Sequence, residues 1–456
     1  MRGRLKVFAA GAPAVLVLCA GPALAAPPES ILPPPAPTIT PAPVATPSAA
    51  AVAVPSPAPT TPAVIAVTVE KWNVADARAL LGVIQGVEAD GLIPADYQPR
   101  QLEAAIAAGE GAALDEQASR SFSWLAEDLR DGRTPMTARV QWFAVDPDQD
   151  VMPTARLMAD ALASHDVPGV LAALSPTTPD YAALKDELAV TPAAEAAKRN
   201  RIRANMDRWR WLARDLGKYY LLTNVPEFQL RLTINNEIIK TYRTIVGKPG
   251  KTATPQLAET VQNVVFNPTW TVPQSIVVGE GLGARLIGNP AQARREGYAV
   301  SRAKDGTITV VQQPGPRNAL GVMKIDMPNP HAIYLHDTPG KGLFNSPVRA
   351  FSHGCVRTEK AQELGMTMAM LGADLTIDQA VQYANSGKYT KVPMARTFPV
   401  YITYFTMARD IGGKLASFND IYGRDAPVLA SFTRARALKT TQRKSAEKVI
   451  KLDNPL

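Results

Sequence analysis

Between Val69 and Leu216 the apolar residues recur every three or four positions, the period of helices that bury one face. ADARALLGVIQGVEADGL, PRQLEAAIAAG, LDEQASRSFSWLAEDLRDG and TARLMADALASHD each keep that spacing, and glycines or prolines part them. Asp115 and Glu116 at the front of one helix, and Arg130 near its back, suit the helix dipole. The last helix, RIRANMDRWRWLARDL, turns Ile202, Met206 and Trp209 to one side and crowds Arg201, Arg208, Arg210 and Arg214 onto the remainder. This pattern predicts tryptophans packed on a neighbouring domain in preference to contact with nucleic acid or membrane.

After Tyr220 the period changes to two. LLTNVPEFQLRLTINNEIIKTYRTIVG alternates as strands do, with Asn235-Asn236 as a hairpin turn. VQNVVFNP, GTITVVQQ and HAIYLHD read as further strands, with no regular helices between them, so a doubly wound parallel sheet is disfavoured against a mostly antiparallel β domain. Between Pro268 and Gly306 runs a longer excursion with Trp270, a helix expected around 275–287, and Arg294-Arg295; it reads either as a cap over a cleft or as a surface insertion. Near the end PVYITYFTMARD alternates like a strand, GKLASFNDIYGRD looks like a hairpin and turn, and the last 20 or so residues, basic and polar, read as a loose tail.

The first residues change the picture of where the chain works. MRGRLK, a short apolar stretch and Ala23-Leu24-Ala25 have the form of a cleavable export signal, the apolar run being broken by Gly11, Pro13, Gly21 and Pro22. Thirteen prolines between Pro27 and Pro62 then make an extended spacer. The expected organisation is a multidomain α+β chain: signal peptide 1–25, Pro/Ala-rich linker 26–67, helical domain 68–216, β domain 217–390 with an insertion at 268–306, and a C-terminal segment 391–456 that returns to the helical domain. Forty-nine Lys and Arg against 41 Asp and Glu leave a formal charge of +8, which favours a polyanionic envelope but is too diffuse to indicate nucleic-acid binding. Cys19 and Cys355 are the only cysteines, which excludes a disulfide scaffold, a zinc site held by several thiolates and an iron–sulfur cluster. Cys19 leaves with the signal if cleavage occurs.

The distinctive chemistry gathers in NPHAIYLHDTPGKGLFNSPVRAFSHGCVRTEK, which holds three of the four histidines, at 331, 336 and 353, and Cys355. His165 stands alone in the helical part and reads as a surface or capping residue. A thiol is a weak nucleophile at its ordinary pKa, and an adjacent imidazole can take its proton. Gly354 beside Cys355 lets the backbone approach a bound carbonyl, and the N–H groups of His353, Gly354 and Cys355 offer oxyanion donors. Arg357 is placed to bind a carboxylate or to hold the loop. At the level of residue types, a zinc site built from Cys355 and the histidines, or an inert buried cysteine, stays open beside the nucleophile.

Ser352-His353-Gly354-Cys355-Val356-Arg357, with His336 seventeen positions before His353, resembles the signature of the L,D-transpeptidases, and especially their large periplasmic branch with an N-terminal scaffold domain. The likeness extends to NMDRWRW, TIVGKPGKTATP, VVFNPTWTVPQSI, PGPRNALG, NPHAIYLHDTP, PVYITYFTMARD and DIYGRD, over roughly 201–429, and more weakly to 73–142. The resemblance implies Cys355 as nucleophile and His336 as base, with the Asp337 carbonyl orienting the imidazole. It places His353, Gly354 and Ser352 in the catalytic loop and oxyanion site. Arg357, Tyr334 and Trp270 become orienting or substrate-binding neighbours, and the 268–306 insertion a lid. It further implies peptidoglycan stem peptides as donor and acceptor, no metal or organic cofactor, a periplasmic wall-associated location peripheral to the membrane after signal cleavage, and either cross-linking or hydrolysis of one acyl-enzyme. One departure stands out: 181–197 is too short for the small peptidoglycan-binding module that branch usually carries.

Overall fold

The computed structural model describes residues 62–447. The expected signal peptide, most of the proline-rich spacer and the stretch from 448 onward lie outside the described residues. The helical part opens with α1 (Val74–Gly86), α2 (Pro99–Ala108) and α3 (Ala112–Asp131), followed by α4 (Asp148–Val151), α5 (Thr154–Ser164) and α6 (Val167–Ala172). Asn73 caps α1 by accepting the Asp76 N–H, and α5 ends at His165, which turns left-handed and sets its ring against Asp76. Leu114, Ala118, Phe122, Leu125 and Leu129 line one face of α3 and pack with Leu80, Ile84 and Leu102 into one core.

A second core joins the helices to the β part. It is built from α7 (Pro179–Val190) and α8 (Ala196–Trp209) against the back of the sheet, with Trp209 stacked on Phe405 at 4.4 Å. Ile202, Met206 and Trp209 are buried as their spacing predicts. The arginines of the other side divide: Arg201 is exposed, whereas Arg208 and Arg210 are 2% and 1% exposed. Arg208 pairs with Asp425 at 2.6 Å, and Arg210 donates to the Asp90 carbonyl and the Tyr181 hydroxyl, so burial leaves neither cation without partners.

The β part begins with β1 (Tyr219–Asn224), β2 (Gln229–Ile234), β3 (Glu237–Gly247), β4 (Leu257–Thr260) and β5 (Asn263–Phe266). Asn235 and Asn236, at φ 51° and 63°, make the two-residue hairpin turn between β2 and β3. The chain then leaves the sheet through β6 (Trp270–Thr271), α9 (Gln274–Gly279), α10 (Leu282–Gly288), α11 (Pro290–Arg295), β7 (Tyr298–Arg302) and β8 (Ile308–Gln312). These form a small body of their own, a sheet ordered β6–β8–β7 over a core of Val272, Val277, Leu286, Ala293 and Val310. The expected single helix over 275–287 is interrupted by Gly281 in the left-handed region, and GTITVVQQ belongs to this insertion rather than to the main sheet. The excursion therefore closes at Gln312, where Thr271 and Val311 are paired neighbours.

The chain returns as β9 (Met323–Asp326), β10 (Leu335–His336), β11 (Ala350–Ser352) and β12 (Val356–Thr358), then α12 (Ala361–Ala373), α13 (Ile377–Asn385), β13 (Thr390–Pro393) and β14 (Pro399–Thr403). An eleven-stranded sheet results, ordered β13–β5–β9–β10–β12–β3–β2–β1–β14–β4, with β11 beside β3. Three neighbouring pairs are parallel (β1/β14, β10/β12 and β3/β11) and the rest antiparallel. The long β3 joins the two halves, pairing with β2 along most of its length and with β12 and β11 at its end. HAIYLHD supplies only the two-residue β10. The helices α12 and α13 have no counterpart in the sequence-based expectations; for α12 the reason is that AQELGMTMAMLGA is apolar nearly all round and shows no clean period, and its Leu364 and Met368 sink into the sheet's core.

The hairpin β15 (Met407–Arg409) and β16 (Leu415–Ser417) and the helix α14 (Asp425–Phe432) then lead back to the helical part. Residues expected to be loose are pinned there: Arg436 pairs with Glu127 and Asp128, Lys439 with Asp128, and Thr440 bridges Val64. Tail charges meet buried carboxylates of α3, which the tail's own composition does not reveal.

Candidate functional site

The parallel pairing of β10 with β12 sets Leu335 beside Val356 and His336 beside Arg357, and the antiparallel pairing of β9 with β10 sets Lys324 beside His336. Side chains two residues apart share a face of a strand. Tyr334, His336, Cys355, Arg357, Lys324 and Asp326 therefore converge on one face. The opposite face carries Val264, Ile325, Leu335 and Val356 into the core.

Cys355 sits half-buried just before β12, its thiol donating to the Ala332 carbonyl at 3.7 Å. Burial, opposed by the Tyr334 N–H and hydroxyl and by the charges of Lys324 and Arg357, pushes the thiol up to about 11. His336 is buried, and its ring meets Tyr334 edge-on at 5.4 Å. Burial and the nearby Arg357 guanidinium hold the imidazole down at about 3, against the pull of the Asp337 carbonyl, while Nδ1 has no hydrogen-bond partner among the described residues. Burial first, and the neighbouring Cys355 thiol second, hold the proton on the Tyr334 hydroxyl, against the pull of the nearby Trp270 indole. Trp270, at the root of the insertion, is thus tied to the site. Arg357 has no ion-pair or hydrogen-bond partner among the described residues, so its guanidinium remains available to an anion.

The loop 352–355 is locked from within and behind. The buried Ser352 hydroxyl accepts the Gly354 N–H at 3.2 Å and donates to the Cys355 carbonyl at 2.6 Å. Gly354, at φ 123°, occupies backbone space closed to other residues. Its N–H, expected among the oxyanion donors, is committed to Ser352, which leaves the N–H groups of His353 and Cys355. From behind, the fully buried Thr254 accepts the Gly247 N–H at 2.9 Å and donates to the Gly354 carbonyl at 2.8 Å. Gly247 admits this approach because a Cβ there would lie 1.9 Å from the Thr252 carbonyl oxygen. The Tyr422 hydroxyl closes the bracket by donating to the Gly247 carbonyl at 2.6 Å.

Other anticipated residues are placed differently. The Asp337 carboxylate faces away, accepting the Val322 N–H and pairing with Lys341; only its carbonyl addresses the imidazole. His353 is exposed and lines a small cleft with Gln141, Phe143, His331 and Gly354, in which His331 packs on Phe143 at 4.1 Å. No three His, Cys, Asp or Glu side chains among the described residues converge as metal ligands. The sequence reading passed over Lys324 and Asp326, though their alternation in MKID, a charged face on a central strand, was a usable signal. It passed over Thr254 and Tyr422 because nothing local ties them to the cysteine loop. Asn329, bracing 327–333 through four hydrogen bonds, was likewise missed.

Residues 218–369 match the family model described as an L,D-transpeptidase catalytic domain, and residues 70–188 match one described as a scaffold domain. A protein of Haemophilus influenzae named "Putative L,D-transpeptidase" is 30% identical over 223 residues, 46% of this chain and 45% of that protein, so the match spans a little under half of that curated relative. Among solved structures, an L,D-transpeptidase from Mycobacterium smegmatis is 14% identical, with 41% of this chain and 58% of that chain covered at a TM-score of 0.21. L,D-transpeptidase 3 from Mycobacterium tuberculosis is 11% identical, with 41% and 61% covered at 0.22. The chain therefore carries an L,D-transpeptidase catalytic domain preceded by a distinct scaffold domain, with Cys355 as the single cysteine among the described residues.

Proposed function

We propose that the protein is a peptidoglycan L,D-transpeptidase working by two-step acyl transfer through Cys355. The observation that carries this reading is the shared sheet face on which Cys355, Tyr334, His336 and Arg357 meet beneath the root of the insertion. Cys355 Sγ attacks the carbonyl joining the third stem residue to the terminal D-alanine of a tetrapeptide. The thiol proton passes to His336, neutral at physiological pH, whose unpartnered Nδ1 is the open basic position. The N–H groups of His353 and Cys355 receive the developing oxyanion. An imidazolium beside Arg357 and Lys324 is disfavoured, so the proton moves on to the leaving amine as the C–N bond breaks and the thioester forms. Arg357 binds a stem carboxylate. An amine of a neighbouring stem then attacks the thioester, its proton returns through His336 to the sulfur, and a cross-link replaces the lost peptide bond. Export to the periplasm follows from the N-terminal signal pattern, and a mature chain beginning after Ala25 is its expected mark.

Incubation with purified disaccharide-tetrapeptide tests the reading. Cross-linked dimer supports it, free tripeptide would make the enzyme an L,D-carboxypeptidase, and unchanged substrate would leave a wall-binding protein with an unreactive thiol. A carbapenem adduct on Cys355, seen by intact mass, reports the acylation half-reaction alone.

A further inference from the structure

Lys324 is a buried amine in the middle of a catalytic face, which is unusual for a lysine. It is 6% exposed, and its ammonium lies 4.5 Å from the centre of the Tyr334 ring and 3.2 Å from Asp326. Asp326 in turn accepts from the Asn263 side chain at 3.0 Å. The pairing of β5 with β9 puts Val265 on Lys324's other side, with Lys391 of β13 beyond it. The side chain thus leans from its own row, shared with His336 and Arg357, toward the row of Tyr334 and Cys355.

We propose that Lys324 is a positioning residue for the thiol chemistry: sealed against Tyr334, it holds the phenol toward Cys355 and supplies a permanent positive charge that stabilises the thiolate as it forms. The inference rests on the reading of Cys355 as nucleophile. The charged and titratable groups around the sulfur are Tyr334 just before β10, His336 on β10, Lys324 and Asp326 on β9, Arg357 on β12 and His353 in the cysteine loop, with Lys391 of β13 acting on Lys324 from beyond Val265. His336 is held neutral and provides no standing charge. Arg357 provides one, but it is open to an anion, and a bound stem carboxylate cancels it. Lys324 is closed off from substrate by Tyr334 and Asp326, so its charge persists through the reaction. Burial pulls the amine's pKa down, while Asp326 first and Cys355 second pull it up, and the 3.2 Å contact with Asp326 favours the ammonium.

The test is the pH profile of Cys355 alkylation by iodoacetamide in the full chain, followed on the Cys355 peptide by mass spectrometry, alongside carbapenem acylation rates. Lys324→Met is expected to move the alkylation profile up by about one pH unit, the lower end of the effect of an opposite charge nearby. That shift means about tenfold slower alkylation below the pKa, with acylation slowed in parallel. Lys324→Arg, which keeps the charge, is expected to stay within about threefold of wild type in both assays. Lys324→Gln serves as a second neutral variant that keeps a donor to Asp326. A folded neutral variant with an unmoved profile overturns the proposal, as does failure of both neutral variants to fold, which would make the lysine a structural requirement. If wild type alkylates at Cys355 but takes no carbapenem, the transpeptidase reading fails while the profile shift still judges Lys324.

Discussion

Replacing Thr254 with valine probes how a distant segment holds the catalytic loop. Valine keeps the shape of the buried side chain but strands the Gly247 N–H and the Gly354 carbonyl, the two groups the hydroxyl serves at 2.9 and 2.8 Å. Each stranded buried group costs about 1–3 kcal/mol, so the variant should lose about 2–6 kcal/mol of stability. Thr254→Ser keeps both hydrogen bonds and loses one methyl, about 1 kcal/mol. The functional consequence follows from the same bonds. Gly354 and Cys355 are adjacent, and a loosened Gly354 carbonyl lets the Cys355 N–H drift from the oxyanion position. Carbapenem acylation should therefore fall by at least about tenfold in the valine variant and stay near wild type in the serine variant, since a misplaced oxyanion donor costs rate steeply. Urea denaturation monitored by tryptophan fluorescence gives the stability difference, and stopped-flow acylation gives the rate. A valine variant within about 0.5 kcal/mol of wild type, the range of an unremarkable surface change, and acylating at the wild-type rate would refute the bracket between Gly247 and Gly354.

Cys355→Ala should fold with wild-type stability and show no carbapenem adduct by intact mass; an adduct that persists would move the nucleophile elsewhere. His336→Ala should slow acylation by at least about 10²-fold, as expected for loss of a general base, and a larger loss in His353→Ala would exchange their roles. Because burial first, and Arg357 second, depress the His336 pKa to about 3, the base stays neutral and wild-type acylation should hold steady from about pH 7 to about pH 5. A decline centred on the ordinary histidine value would contradict the buried, neutral imidazole. The same depressed pKa contributes stability that is full above about pH 6.5 and is lost as pH falls toward 3, which acid titration of urea midpoints can follow. Since Thr271 and Val311 are paired neighbours, replacing 272–310 with a short Gly-Ser turn removes the insertion with its core while keeping Trp270. That enzyme should still alkylate at Cys355 but shift its products from dimer toward tripeptide, because water gains access to the thioester; an unchanged product ratio would make the insertion irrelevant to acceptor choice.

The proposed nucleophile, its proposed base and the loop before the thiol lie in one continuous stretch of sequence, because thiol, imidazole and glycine carry their chemistry in their identities and fall within about twenty residues of one another. The helical period of 69–216 and the alternation after Tyr220 were legible for the same local reason: a chain that must bury one face repeats its apolar residues at the period of its backbone. Which strands lie side by side, and in what register, is not a local property. A slip of one residue between β9 and β10 would turn Lys324 away from His336, and no pattern within MKID or YLHD sets that register. The bracing of Gly354 by Thr254, 100 residues earlier, and of Gly247 by Tyr422, 175 residues later, arises from chain crossings that only the packed sheet brings about. Burial overrode pattern in the same way for Arg208 and Arg210, which look like a solvated face until Asp425, Asp90 and Tyr181 arrive to receive them, and for the tail, whose charges find carboxylates on α3. A charged side chain takes its meaning from its partner, and most of these partners lie tens to hundreds of residues away along the chain.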